Sequence, residues 1–413
     1  MTGALPATAT SERSASADYP QLFRHMLARS VEVALAAFDP ATPRLTEEDR
    51  ERSLYVLSLA LDLDEAWTAA RDLTLTIAPH METQGYRHEW IDFLAKGLAQ
   101  AQKQGDQKAQ AHLHLLLARI YQFMDDGAAS DSHLATSRTL AAAIGAQDLL
   151  VSILDRMAAA ASNRSEFSLA RSYAEQVLAM LGPDDPSGAV AHHILGLIAL
   201  RQARWDEAIT EYEHVYALRQ QQAIPRFLAQ ALRDLAFAHR FAAHYETSIT
   251  YYQRALTMLA ESGDTYEYAV AHNDLGIVYW FTGDYPAALA VFKAVEPVFA
   301  KTESLLSLAR VYNNIGLVYR ELGEDNPALE AFANSIELAR RLDHHFEVAN
   351  ALDSLAGLHR QRGNLAEAIA TWDVALASLE RLPERPQHLY GLIVSRLQTT
   401  KEMAANQSAD SPP

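Results

Sequence analysis

The 413-residue sequence has no cysteine, which excludes disulfides, Cys-ligated zinc, iron–sulfur clusters and cysteine nucleophiles. Positive charge is also scarce: 35 Lys and Arg stand against 52 Asp and Glu, for a formal net charge of −17. Nucleic acids and anionic bilayers are polyanions, so neither is expected as a direct partner. No window approaches the roughly 18 apolar residues of a membrane span. The opening MTGALPATATSERSASADYP lacks the basic stretch and apolar run of a secretory leader. A soluble, cytoplasmic protein is the expectation. No GxGxxG, Walker lysine loop, GxSxG or HExxH occurs, so no cofactor, and no enzyme of those classes, is expected.

The histidines do not amend this. His112 with His114, His192 with His193 and His344 with His345 are one or two positions apart, and on a helix such side chains diverge by about 100° or 200°. None of these pairs readily chelates a metal, and His239 with His244, five apart, straddles an expected turn. Asp125-Asp126-Gly127 lacks the later acidic ligands of a calcium loop and reads as a turn. No metal site is expected.

What the chain does have is a period. Leu235, Leu275, Ile315 and Leu355 open the stretches LAFAHRFAAHYETS, LGIVYWFTGDYPAA, IGLVYRELGEDNPA and LAGLHRQRGNLAEA at intervals of 40 residues. Upstream, LGLIALRQARWDEA from Leu195 keeps the spacing, MAAAASNRSEFSLA from Met157 fits with a two-residue deletion, and LARIYQFMDDGAAS from Leu117 fits loosely. A fixed period of this length marks a helical repeat array rather than a single closed core. Within each unit Leu275, Val278 and Tyr279 recur at helical spacing. Thr282-Gly283-Asp284, Leu322-Gly323-Glu324-Asp325 and Arg362-Gly363-Asn364 then supply a glycine to end one helix and an Asp or Asn to cap the next. Asn364 and Glu367 have capping-box spacing, and Pro286 and Pro327 suit the first turn of the second helix.

A second periodic feature sets the packing. The residue after the first apolar anchor is small at Gly196, Ala236, Gly276, Gly316 and Ala356, and the second helix answers with Ala208, Ser248, Ala288, Ala328 and Ala368. Four residues later comes a ring: Tyr212, Tyr252, Phe292, Phe332 and Trp372. Two small faces let the helix axes approach while the ring fills the space beside them. The outer faces stay apolar until neighbours stack on them.

Small anchor, turn glycine, small residue and aromatic in this order resemble the tetratricopeptide repeat. The 40-residue period exceeds the usual length of about 34 and is similar to the longer-helix variety of kinesin light chains and of the sensor arms of bacterial signal-transduction ATPases and transcriptional activators. The aromatic that the resemblance places early in the first helix is His272 in one unit and Tyr312 in the next. The resemblance implies an all-α fold, a right-handed superhelical solenoid of antiparallel helix pairs. Residues 106–385 would form about seven units, clearest over 189–382, preceded by N-terminal helical hairpins over 19–105 and followed by a capping helix over 386–404. In the N-terminal region helices are expected near Gln21–Phe38, Glu47–Leu61, Asp64–Pro79 and Arg87–Gln104, and the segment from Gly85 resembles the hairpin that leads into such arrays in those regulators. Residues 1–18 and 405–413 lack periodicity and read as disordered tails.

Residues seven apart share a helix face. In four successive first helices the positions two before and five after the anchor are Arg233 and Arg240, Asn273 and Trp280, Asn313 and Arg320, Asp353 and Arg360. Arg310 and Asn350, three residues before Asn313 and Asp353, lie about 60° away on the same side. By the resemblance this face lines the concave groove of the superhelix. Arginine forks pair with carboxylates and asparagine amides meet a peptide backbone, so the face suits a protein or peptide with acidic or C-terminal carboxylate groups, with Trp280 as a stacking platform. The same residues can equally form an internal ladder in which Asp353 neutralises Arg320 or Arg360 and Trp280 is buried between repeats. Three functions follow: a non-enzymatic binding scaffold, a sensor or regulatory arm whose effector lies on another chain, and an enzyme with an unrecognised site. The partner and the oligomeric state are not legible in the sequence.

Overall fold

The structure, a computed structural model, describes residues 19–36, 46–83, 87–124, 126–302, 304–382 and 386–409. Helices α1 (Tyr19–Ala36), α2 (Glu47–Ala60), α3 (Trp67–Thr83), α4 (Arg87–Lys103), α5 (Gln107–Phe123), α6 (Gly127–Ala143), α7 (Gln147–Asn163) and α8 (Phe167–Met180) come first, then α9 (Ala189–Arg201). There follow α10 (Trp205–Gln222), α11 (Pro225–Phe241), α12 (Tyr245–Ser262), α13 (Thr265–Phe281), α14 (Tyr285–Lys301), α15 (Leu305–Leu322), α16 (Asp325–Arg341), α17 (His345–Gln361), α18 (Leu365–Leu379) and α19 (Gln387–Ala409). The fold is all-α, a solenoid-type succession of paired helices, and no strand occurs among the described residues. None of the helices described is long and apolar enough to cross a membrane. The chain divides into two compact units, Met1–Ile194 and Leu195–Pro413.

In the first unit α1 packs on α2 and α3, and Leu57, Leu61, Leu73, Ile77, Met81, Trp90 and Leu94 form a core with at most 1% of any residue exposed. Two aspartates tie its helices together. Asp64 accepts from Gln100 Nε2, Lys103 Nζ and Gln104 Nε2 at 2.7, 2.6 and 2.8 Å. Asp106 caps α5 through the Ala109 amide at 2.9 Å and also takes Trp67 Nε1 and Arg71 Nη1 at 3.2 and 3.0 Å. The hairpins α5–α6 and α7–α8 follow. The expectation of a disordered segment over 1–18 lies outside the described residues.

In the second unit the ring-against-small-residue packing is realised at contact. A Cβ built on Gly316 would stand 2.5 Å from Cε1 of Phe332, and one on Gly276 2.7 Å from Cε1 of Phe292. Ala208, Ser248, Ala288, Ala328 and Ala368 are fully buried, as are Tyr252, Phe292, Phe332 and Trp372. Gly283 turns the chain at φ 78°, and Asp284 caps α14 by accepting from the Ala287 amide at 3.1 Å. Two expected caps differ. Asn364 occupies the N-cap of α18 without a side-chain bond to the helix, so the capping box with Glu367 does not form. Asp325 lies inside α16 and pairs with Arg362 Nε at 2.9 Å, leaving Glu324 at the cap. The terminal helix runs past 404 to Ala409, carried by residues such as Ala404, Ala405 and Gln407 with good helix propensity. Residues 410–413 lie outside the described residues.

Candidate functional site

Every 40-residue step places a first helix beside the next, so α11, α13, α15 and α17 form one side of the second unit and α12, α14, α16 and α18 the other. Neighbouring first helices are bridged by long-range polar bonds. Arg233 Nη1 of α11 donates to Glu267 Oε2 of α13 at 2.6 Å, and Arg310 Nε of α15 donates to Glu347 Oε1 of α17 at 2.6 Å. Asn314 Nδ2 reaches back to Asn273 Oδ1 at 3.3 Å. Asp353 of α17 takes Arg396 Nη1 of α19, together with Trp372 Nε1 at 2.8 Å.

A cleft of about 290 Å³ opens on this face. Its polar lining comes from Asn273 and Asp274 on α13, Arg310, Asn313 and Asn314 on α15, and Glu347 and Asn350 on α17, with Val270, Ile277 and Phe299 as apolar wall. Asn313 is only 6% exposed, and its Oδ1 has no hydrogen-bond partner. An unmet buried acceptor is costly unless something fills it. Arg310 leaves half its side chain in solvent while its partner Glu347 is buried. Desolvation pushes the Asp274 carboxyl up to about 6, against the opposing pull of Arg233, Arg240 and a hydrogen bond from Asn273.

The ten residues singled out from the sequence therefore divide. Asn273, Arg310, Asn313 and Asn350 line this cleft. The others are engaged elsewhere. Arg233 is held by Glu267, and Arg240 lies 4.8, 4.5 and 5.8 Å from the ring centroids of Phe237, Phe241 and Phe281. Arg320 bonds its neighbour Glu321 through Nε and Nη2 at 3.1 and 2.7 Å, and Arg360 sits 5.5 Å from the Trp372 ring centroid. Trp280 is half-buried against Phe281, rings 5.0 Å apart, with Nε1 buried and unbonded. Asp353 neutralises neither Arg320 nor Arg360; its partner is Arg396. Asp274, Asn314 and Glu347 also line the cleft and are not among those ten. The first two were within reach: Asp234, Asp274, Asn314 and Ser354, one residue before each anchor, form another polar column at the 40-residue period.

Residues 191–226, 227–301 and 307–381 match the tetratricopeptide repeat. The fold is similar to that of aspartyl phosphate phosphatase F from Bacillus subtilis, with a TM-score of 0.59 at 12% identity over 92% of this chain and 97% of that one. It is equally similar, at TM-score 0.59 and 12% identity, to a signal-transduction ATPase with numerous domains and a tetratricopeptide repeat sensor from Pyrococcus horikoshii, over 94% of this chain and 68% of that one. The apo form of RapI aligns with a TM-score of 0.56 at 11% identity, over 65% of this chain and 97% of that one. No curated protein matches the sequence.

Proposed function

We propose, for a chain whose residues 191–301 and 307–381 are tetratricopeptide repeats, that it is a non-enzymatic scaffold holding a protein or peptide segment against α13, α15 and α17. The observation that carries this reading is the cleft, where four asparagine carboxamides converge and the buried Asn313 Oδ1 lacks a donor. A carboxamide offers both donors and an acceptor, the complement of a main-chain peptide unit, so a row of them holds an extended segment without demanding particular side chains. Arg310, half-exposed beside Glu347, adds a guanidinium edge for an acidic side chain or a terminal carboxylate. Arg233 and Asp353 tie neighbouring helices together, Arg240 and Arg360 lie against rings of neighbouring helices, and Arg320 and Trp280 are engaged within their own helices. Because the helices are already packed, little ordering cost falls on the receptor at binding.

The same groove would serve a sensor arm whose effector is on another chain, and the Pyrococcus horikoshii protein is named as a signal-transduction ATPase with a tetratricopeptide repeat sensor. The test is affinity capture from native lysate, with the intact protein beside a variant carrying Arg310→Ala, Asn313→Ala and Asn350→Ala. The reading expects at least one protein or peptide on the intact chain and not on the variant. Recovery of the same species in equal amount on both would reject it.

A further inference from the structure

The turn between α11 and α12 brings together two imidazoles that take no part in the cleft, those of His239 and His244. On a continuous helix a spacing of five would set them about 140° apart. Here the helix ends between them. Ala243 is left-handed at φ 59°, and the His244 amide donates to the His239 carbonyl at 2.8 Å, which fixes both backbones. His239 is half-buried, its ring stacked on Tyr251 with centroids 5.4 Å apart and planes 20° from parallel. His244 is exposed at the N-cap of α12, yet its side chain does not cap that helix. By contrast His344, at the N-cap of α17, accepts from the Glu347 amide at 3.4 Å. The Nδ1 of His244 turns instead to the Nδ1 of His239, at 3.3 Å. That is long for a hydrogen bond, and the pair His114 and His133 shows the difference by closing to 2.8 Å.

We infer that His239 and His244 hold a zinc ion between their Nδ1 atoms. Two nitrogens bound to one tetrahedral zinc, each about 2.0–2.1 Å from it, stand about 3.3–3.4 Å apart, the separation found here. The ring centroids are 5.5 Å apart, against about 5.2 Å for two imidazoles on such an ion. A small swing of the exposed His244 ring closes that gap while Tyr251 keeps His239 in place. Both rings bind neutral, with the proton on Nε2, so the proton that one Nδ1 carries in the metal-free pair moves to Nε2 and none is lost overall. Glu213 of α10 adds a negative charge whose field reaches His239 and favours a cation there. Water completes the shell. The pairing is particular to this repeat: at successive 40-residue steps the same two positions hold Tyr279 and Asp284, Tyr319 and Glu324, and His359 and Asn364.

The neighbouring repeats supply variants that keep the turn. His239→Tyr takes the residue of Tyr279 and Tyr319, and His244→Asn takes that of Asn364, a good N-cap type. The experiment is calorimetric titration of zinc chloride into the full chain at neutral pH, after treatment with chelator and dialysis. The native chain is expected to bind zinc saturably. Each variant is expected to bind it at this site on the order of a hundredfold more weakly, and so to lose one equivalent, because a second imidazole no longer acts at high effective concentration. Circular dichroism is expected to show the same helicity in all three proteins. A native chain that binds no zinc overturns the inference. So do variants that bind the same number of equivalents as the native chain with the same affinity, since any zinc would then sit elsewhere.

Discussion

At Gly316 the distance available decides what the residue can be. The phenyl ring of Phe332 occupies the space a side chain would need, with 2.5 Å between its Cε1 and the point where a Cβ would stand. Gly316→Leu is expected to push α15 and α16 apart and cost about 1–3 kcal/mol or more through overpacking. Urea unfolding followed by circular dichroism measures it, and an unchanged midpoint would place the ring elsewhere. Asp274 is the residue at which pH should be felt. Its folded carboxyl titrates near 6 against 3.8 for the ordinary group. Between those values the native state binds more protons than the unfolded one, so this residue's contribution to stability falls as pH rises through 4 to 6, and the penalty is complete above 6. Asp274→Asn is expected to raise stability at pH 8 by on the order of 1–3 kcal/mol and to leave it unchanged near pH 4. Thermal unfolding at the two pH values distinguishes this from a charge that is stabilising in place, for which the variant would be weaker at pH 8.

The turn between paired helices is the element that repeats most faithfully. Positions 203, 243, 283, 323 and 363 are all left-handed, with φ of 56°, 59°, 78°, 75° and 79°, yet the first two are alanine. A Cβ in that region is strained, so Ala203→Gly and Ala243→Gly are each expected to stabilise by about 0.5–1 kcal/mol. Denaturant titration of the double variant checks it, and a loss of stability would mean that chain entropy outweighs the strain. The last helix is anchored differently, by Arg396 on the buried Asp353. Arg396→Ala would leave that carboxylate with Trp372 as its hydrogen-bond donor and is expected to cost about 2 kcal/mol or more, seen as faster amide exchange in α19 than elsewhere in the unit. The helices were legible because hydrophobic period, glycines and prolines are local signals. The four expected near Gln21–Phe38, Glu47–Leu61, Asp64–Pro79 and Arg87–Gln104 match α1 to α4 within a few residues. Cap chemistry was less so: Asn364 has the right type and spacing but its side chain does not engage the helix, which depends on a rotamer that spacing does not set.

For the whole molecule, the period identified which face the first helices share, and Asn273, Arg310, Asn313 and Asn350 do meet in one cleft on that face. What the period could not give was the allocation of charge between neighbours. Glu267 and Glu347 come 34 and 37 residues after the arginines they hold, off the 40-residue register, and Arg396 lies beyond the repeats altogether. Arg240 and Arg360 look like open charges in the sequence because stacking on Phe281 and Trp372 depends on side chains from neighbouring helices. The picture is of a supporting ladder with an amide-lined cleft in its middle. Its most direct test is the equilibrium affinity of a captured partner, measured by calorimetry on the native chain, on the Arg310→Ala, Asn313→Ala, Asn350→Ala variant, and on a control carrying Glu330→Ala, Glu337→Ala and Arg341→Ala on the exposed side of α16. Binding by the cleft variant is expected to be at least about tenfold weaker, a loss of about 1.4 kcal/mol, with helicity retained and the control unaffected. Equal affinity for the native chain and the cleft variant would contradict it.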